Sequence, residues 1–217
     1  MSITVLLADD HAMVRDGLKL LLESQQDITV VGLAANGREA IKIAKNTAPD
    51  VVILDIAMPE LNGIEAALKI RDALPGARII ILSMHATSEH VFRALNAGAD
   101  GYLLKESAGA EVVRAVRAVY AGRRYLSEKI ATAAQGMNLS ERGAASAKSP
   151  LESLSERERE VLQLVVEGRS SAEIASAINL SPKTVETYRS RIMQKLDVHD
   201  VPGLVKFALQ HGVTSGE

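Results

Sequence analysis

The sequence predicts an α/β fold, a five-stranded doubly wound parallel sheet of strand order 2-1-3-4-5, followed by a small all-α domain. Three observations carry that expectation. Short apolar runs alternate five times with amphipathic stretches through residues 1–122, the pattern of β/α units around a parallel sheet. Most of these runs are continuous Val, Ile and Leu without polar alternation, which suits strands covered on both faces. After Pro150 the strand-like runs stop and only helical periodicity remains. Five units are too few for an eightfold barrel, so the sheet is open.

The first unit pairs a strand from Ile3 to Ala8 with a helix from about Ala12 to Glu23. A strand from Ile28 to Leu33 precedes a helix from Arg38 to Asn46, and the strand from Val51 to Leu54 precedes one from Gly63 to Leu74. The fourth pair is Arg78 to Leu82 with Ser88 to Ala97, and the fifth is Gly101 to Leu104 with Ala110 to Ala121. In each helix apolar residues recur three and four apart, giving one face to the sheet. Residues 123–150 are expected to be a linker, because Ala131 to Ser149 is mostly Ala, Ser, Gly and single charges, with a short helix near Glu128 to Ala134. Residues 151–217 scan as helices at Glu156 to Glu167, Ala172 to Ile178, Pro182 to Leu196 and Val201 to His211. A domain of about 65 residues must pack its few large apolar side chains efficiently.

Composition narrows the class. The 217 residues are 47% hydrophobic and 24% charged, as in ordinary globular proteins, and no apolar run approaches the ~20 residues that span a bilayer. No membrane partner is expected. The N-terminus has no basic segment before its apolar stretch and turns acidic at Asp9, so it does not read as a signal peptide. The absence of Cys excludes disulfides, thiolate zinc sites and a Cys nucleophile, and a cytoplasmic location fits. The net charge of −2 argues at first sight against nucleic acid, whose binding needs clustered cations.

In open α/β sheets ligands bind beyond the carboxyl ends of the strands. There the sequence offers Asp9 and Asp10 after the first strand, Asp55 after the third, Ser83 after the fourth and Lys105 after the fifth. With strands 1 and 3 adjacent, three carboxylates converge, and they cannot share a site unless a cation or protons intervene. Mg²⁺ suits a site that offers one or two carboxylates and keeps waters for an incoming phosphate. Singly, each residue is ordinary, since Asp after a strand is a common N-cap or turn residue. Five compatible groups at four of five strand ends are not. A carboxylate beside a metal, a hydroxyl and an ammonium can act as a nucleophile toward phosphorus.

The segments Ala8-Asp9-Asp10-His11, Asp55-Ile56-Ala57-Met58-Pro59 with Gly63 beyond, Ser83, and Tyr102-Leu103-Leu104-Lys105 make residues 1–122 resemble the flavodoxin-like receiver domain of two-component response regulators. The resemblance covers the whole first domain. It implies that Asp55 is the phosphoacceptor and that a sensor histidine kinase is the donor. It further implies that Asp10, Asp55 and the backbone carbonyl of Ala57 bind Mg²⁺, with Asp9 supporting the metal largely through water. Ser83 and Lys105 would bind the phosphoryl oxygens after transfer, and Tyr102 would change rotamer with Ser83 as the switch. No free substrate would be turned over, only self-phosphorylation and autodephosphorylation of the aspartate. One departure stands out: many receivers follow the Lys with a Pro in a cis bond, whereas Glu106 follows Lys105, so no cis peptide is expected.

Local charge in the second domain differs from the whole. Residues 151–217 carry eight basic and ten acidic residues, but Ser181 to Leu196 holds Lys183, Arg189, Arg191 and Lys195 against Glu186 alone, a charge of +3. Ser181 is a good N-cap and Pro182 sits at the favoured first helical position, so this helix starts sharply. Val185, Ile192 and Leu196 mark a buried stripe, with Lys183, Glu186, Thr187, Ser190 and Gln194 opposite. That face is either a solvated surface or a recognition helix for a DNA major groove.

Leu154-Ser-Glu-Arg-Glu158, Glu160-Val161-Leu162, Gly168, Ile174-Ala175 and Ser181-Pro-Lys-Thr-Val185-Glu-Thr-Tyr-Arg189 resemble the LuxR-type helix-turn-helix over about residues 151–211. With the receiver, the chain is similar to the NarL/FixJ subfamily of response regulators. The resemblance implies double-stranded DNA as a partner, a phosphorylation-dependent homodimer, and RNA polymerase as a further partner. Glu186, Thr187 and Ser190 would face bases, and Lys183, Thr184, Tyr188, Arg191 and Lys195 would meet phosphates or groove walls. Glu186 either accepts from a cytosine amino group or orients Arg189 or Arg191.

Two other classes fit less well. A haloacid-dehalogenase-type hydrolase with Asp55 as nucleophile needs a second Asp where the chain has Ala57. A flavodoxin-like nucleotide binder needs glycines and hydroxyls in the first turn, which instead supplies two carboxylates. A phosphorylation-controlled transcription factor is the expected function.

Overall fold

The computed structural model describes residues 2–135 and 150–214, and the chain divides into two compact units, residues 1–145 and 146–217. Residues 136–149, half of the expected linker, lie outside the described residues.

The apolar runs become β1 (Ile3–Ala8), β2 (Ile28–Ala34), β3 (Val51–Asp55), β4 (Arg78–Ser83) and β5 (Gly101–Leu104), separated by α1 (Ala12–Glu23), α2 (Gly37–Thr47), α3 (Gly63–Ala73) and α4 (Ser88–Asn96) and followed by α5 (Lys105–Tyr120). All strands pair in parallel, in the expected order β2-β1-β3-β4-β5. Strand alternation sorts the core into two layers. Leu6, Val52, Leu54, Ile79 and Ile81 meet the small and branched residues of α2, α3 and α4, while Val5, Leu7, Ile53, Ile80 and Leu82 meet α1 and α5. Every residue of β3 is buried, which explains its unbroken apolar run up to Asp55.

The structure departs from the sequence expectation at two places. The sheet has a sixth strand among the described residues, β6 (Tyr125–Leu126), paired parallel to β5 inside the segment read as linker. It leads into α6 (Glu128–Gln135), whose Ile130 is buried in the same cluster as Tyr102. The segment from β6 through α6 therefore belongs to the first unit. The second departure is α5, which starts at Lys105, five residues before Ala110. Its first residues, Lys-Glu-Ser-Ala-Gly, combine good helix formers with Ser and Gly but show no apolar repeat, and its N-cap Leu104 offers no side-chain cap. Packing holds this start in place, since Ala108 and Val112 are buried against the sheet. No cis peptide occurs among the described residues, as Glu106 after Lys105 predicts.

In the second unit a 3₁₀ turn (Pro150–Ser153) precedes α7 (Glu156–Val166), α8 (Ser171–Ile178), α9 (Pro182–Leu196) and α10 (Val201–Gln210). Ser155 and Ser170 form capping boxes with Glu158 and Glu173, and Ser181 caps α9 ahead of Pro182. Such caps contribute about 1 kcal/mol each, which matters in a domain this small. Leu162, Ile174, Val185, Ile192 and Leu204 form the centre of its core.

Candidate functional site

β1 and β3 are adjacent and both end at the same sheet edge, so they deliver Asp9, Asp10 and Asp55 to one place. Asp9, Asp10, His11 and Asp55 each bring one ligand atom to within 4.8 Å of the others. Asp9 and Asp55 are buried. Lys105, first residue of α5, places its Nζ 2.9 Å from Asp9 Oδ2 and 2.8 Å from Asp55 Oδ2. His11 Nδ1 lies 3.2 Å from Asp9 Oδ1 and 2.7 Å from Asp10 Oδ1, and its N–H donates to Asp9 Oδ1.

The charges do not balance. Burial above all, then the neighbouring Asp9, pushes the Asp55 carboxyl up to about 6, against the pull of the Lys105 ammonium. Burial alone would lower Lys105, but the carboxylates of Asp55 and Asp9 outweigh it and raise that group. Asp10 raises His11 in the same way. Asp9 Oδ2, Asp10 Oδ1 and Asp55 Oδ2 are sealed from solvent, with cationic neighbours but no well-directed hydrogen bond. Hard oxygen donors in this state fit Mg²⁺, which Asp9, Asp10 and Asp55 could hold, and the resemblance adds the Ala57 carbonyl to that set. His11 stands in the motif, yet sequence reasoning gave it no role. It orients two of the carboxylates, and its place directly after the Asp pair was the available signal.

Asp55 is held from behind by Gly63. A Cβ at that glycine would come within 2.0 Å of the Asp55 carbonyl oxygen, so only glycine lets the loop after β3 fold back this closely. Ser83 ends β4 beside Leu104, one residue from Lys105. It is buried and its Oγ accepts the His85 N–H at 3.0 Å. The Tyr102 hydroxyl donates to the His85 carbonyl at 2.7 Å, and burial pushes that phenol up to about 12. The expected switch pair thus shares one backbone residue.

In the second unit, Lys183, Thr184, Thr187, Tyr188 and Arg191 line a surface groove of about 340 Å³ together with Ser181. Glu186 and Ser190 are exposed outside that lining. Glu186 Oε1 lies 3.7 Å from Arg189 Nη1, and both residues bond to the Ser171 hydroxyl. Lys195 also has partners within the unit. Its Nζ lies 2.7 Å from Glu158 Oε2 and donates to the Ser153 carbonyl, tying α9 to α7 and the preceding turn. That contact spans 37 residues and is invisible to local charge counting.

Comparisons with known proteins agree with this division. The response regulator receiver domain family matches residues 5–117, and the luxR family of bacterial regulatory proteins matches residues 152–208. Response regulator UvrY of Escherichia coli strain K12 is 41% identical over 99% of this chain and 97% of its own. Oxygen regulatory protein NreC of Staphylococcus carnosus strain TM300 is 39% identical over 95% of this chain and 96% of its own. Among solved structures, a LuxR-family response regulator from Aurantimonas sp. SI85-9A1 covers 61% of this chain and 94% of its own at 41% identity and TM-score 0.59. The response regulator RcsB in complex with DNA covers 97% and 99% at 26% identity and TM-score 0.59.

Proposed function

The chain belongs to the transcriptional response regulators of two-component systems that join a receiver domain to a LuxR-family DNA-binding domain, and on that premise we propose that Asp55 accepts a phosphoryl group from a sensor histidine kinase and so controls dimerisation and DNA binding. The observation that carries this is the buried Asp55 carboxylate at the end of β3, flanked by Asp9 after β1 and by the Lys105 ammonium after β5. Bound Mg²⁺ would neutralise charge on the phosphoryl oxygens.

An Asp55 carboxylate oxygen forms the new bond to phosphorus as the P–N bond to the kinase histidine breaks, and the imidazole leaves with the electron pair. Lys105 meets the charge on the incoming oxygens. Ser83 does the same once its hydroxyl turns from the His85 N–H, and Tyr102 then changes rotamer by leaving the His85 carbonyl. Phosphorylation brings about one additional negative charge and new acceptor oxygens, which shifts a pre-existing equilibrium of the α4–β5–α5 face. The chemistry is confined to the chain's own aspartate, with water as the acceptor in autodephosphorylation. In a dimer, two recognition helices would read half-sites about 10 base pairs apart or a multiple of that. A cytoplasmic setting suits these partners, and no helix among the described residues is long and apolar enough to cross a membrane.

The test is treatment with a small phosphodonor and Mg²⁺, followed by intact mass and DNA gel shift. Wild type gains one phosphoryl group and binds DNA more tightly, and Asp55→Asn does neither. Phosphodonor-induced dimerisation of Asp55→Asn contradicts the assignment.

A further inference from the structure

Ser127 is a buried hydroxyl that the mechanism above leaves unused. It sits between β6 and α6, where the chain leaves the sheet. Its N–H donates to the Tyr102 carbonyl at 2.9 Å and its Oγ accepts the Leu104 N–H at 3.0 Å, so it grips β5 on both sides of Leu103. Ser107 Oγ stands 3.2 Å from the same hydroxyl and donates to the Leu104 carbonyl. Leu104 directly precedes Lys105. On its other side the Ser127 carbonyl accepts the Ala131 N–H and opens α6. Ile130 packs in the cluster that holds Tyr102 and Leu104, and Lys129 Nζ lies 2.7 Å from Glu106 Oε1. The first turn of α6 is thus fastened to the strand end and helix start that carry Tyr102 and Lys105.

We propose that Ser127 is a positioning residue for Lys105 and the link through which the phosphoryl state of Asp55 reaches α6. The proposal rests on Asp55 being the phosphoacceptor. A phosphoryl group carries negative charge outward from the carboxylate, and the ammonium that now bridges Asp9 and Asp55 follows it. Because Lys105 begins α5, that movement draws on the Leu104–Lys105 peptide, whose neighbouring N–H is held by Ser127. A buried N–H does not give up its partner freely, so Ser127 moves with it and carries the α6 N-terminus along. Coupling of this kind is reciprocal, and loosening Ser127 disturbs Lys105 in turn.

The experiment compares full-length wild type, Ser127→Ala and Ser127→Thr treated with acetyl phosphate and Mg²⁺. Intact mass follows phosphoryl incorporation, and amide hydrogen exchange follows residues 123–135 in both states. In wild type, exchange over 123–135 changes on phosphorylation. Ser127→Ala incorporates phosphoryl on the order of tenfold more slowly and loses the exchange response, and Ser127→Thr, which keeps the hydroxyl, restores both. A serine serving structure alone would loosen 123–135 equally in the two states and leave the incorporation rate at the wild-type level, which overturns the proposal. Should the extra methyl of Thr unfold the unit, wild type decides, since incorporation without any exchange response at 123–135 overturns the link by itself. Wild type that takes no phosphoryl group overturns the assignment of Asp55 as well.

Discussion

Lys105 in the first unit and Lys195 in the second each hold a buried carboxylate at nearly the same distance, 2.8 Å to Asp55 Oδ2 and 2.7 Å to Glu158 Oε2, yet the two acids are shifted in opposite directions. Burial is the largest influence on both and raises both. At Asp55 it is reinforced by Asp9 and Asp10, and one ammonium shared between carboxylates cannot offset them. At Glu158 it is outweighed by Lys195, which serves that carboxylate alone, and by hydrogen bonds from Ser155, so the group falls below its ordinary value. The first site is short of positive charge and the second is closed. A shortage of charge is what a cation or a phosphoryl-transfer reaction can use, whereas a closed pair fixes one helix on another.

Removing each lysine gives the largest test of this contrast. Lys105→Met leaves buried carboxylates without their cation and lowers the stability of the first unit by about 3–5 kcal/mol at pH 7.5 without divalent ions. Millimolar Mg²⁺ recovers most of it, because a ligand bound only by the folded state stabilises that state. Lys195→Met destabilises the second unit by about 1–2 kcal/mol, less because Lys195 is 41% exposed, and Mg²⁺ recovers none of it. Calorimetry that follows the two unfolding transitions separately reads both effects. Equal rescue of the two variants by Mg²⁺ breaks the contrast.

Acidity provides the next effect, with opposite signs in the two units. The Asp55 carboxyl titrates near 6 in the fold against 3.8 unfolded, so the folded state binds more protons between those values. Without Mg²⁺, wild type therefore loses stability as pH rises from about 4 to 6, by on the order of 2 kcal/mol. Asp55→Asn does not share that loss and is the more stable protein at pH 7.5. Glu158 is depressed, so its contribution is fully present above the ordinary glutamate value of 4.5 and disappears as pH falls through the lower folded value. Glu158→Gln is accordingly less stable than wild type at neutral pH, and the gap closes on acidification. Melting temperatures of the two variants against wild type from pH 3.5 to 8 show these trends crossing. Parallel curves rule out the charge shortage at Asp55.

The same contrast explains what the sequence discloses. The acidic edge is legible because a parallel sheet sets Asp9, Asp10, Asp55, Ser83 and Lys105 at the ends of unmistakable apolar runs. Their types alone indicate a site lacking positive charge. The contact of Lys195 with Glu158 is not legible, because the two lie on different helices and Lys195 reads locally as one more cation of a basic helix. β6 escapes for a related reason. Two residues, Tyr125 and Leu126, half-buried and preceded by Arg123-Arg124, leave no periodicity to detect, and their strand exists only because β5 offers an edge to pair with. Ser127 beyond them has no sequence signal at all, since its importance comes from two backbone partners more than twenty residues away in sequence.

The smallest effects are expected on the exposed face of α9, where the scaffold and the reading surface separate. Lys183 and Thr187 are exposed and line the groove, so replacing either by Ala leaves the stability of the second unit within about 0.5 kcal/mol of wild type. Their effects on DNA differ in kind. Lys183→Ala weakens binding similarly for every sequence and reduces the slope of log affinity against log salt by about one, because one phosphate contact is lost. Thr187→Ala leaves the slope unchanged and weakens binding to the preferred site by about 1 kcal/mol while relaxing its sequence preference, because a base edge loses a partner. Lys195 completes the comparison: held by Glu158 and the Ser153 carbonyl, it contributes nothing to the salt slope. Lys195→Met destabilises the fold and binds DNA with the wild-type slope once measured well below its melting temperature. A slope reduced by one in that variant would place Lys195 on the phosphates and erase the distinction between the two lysines.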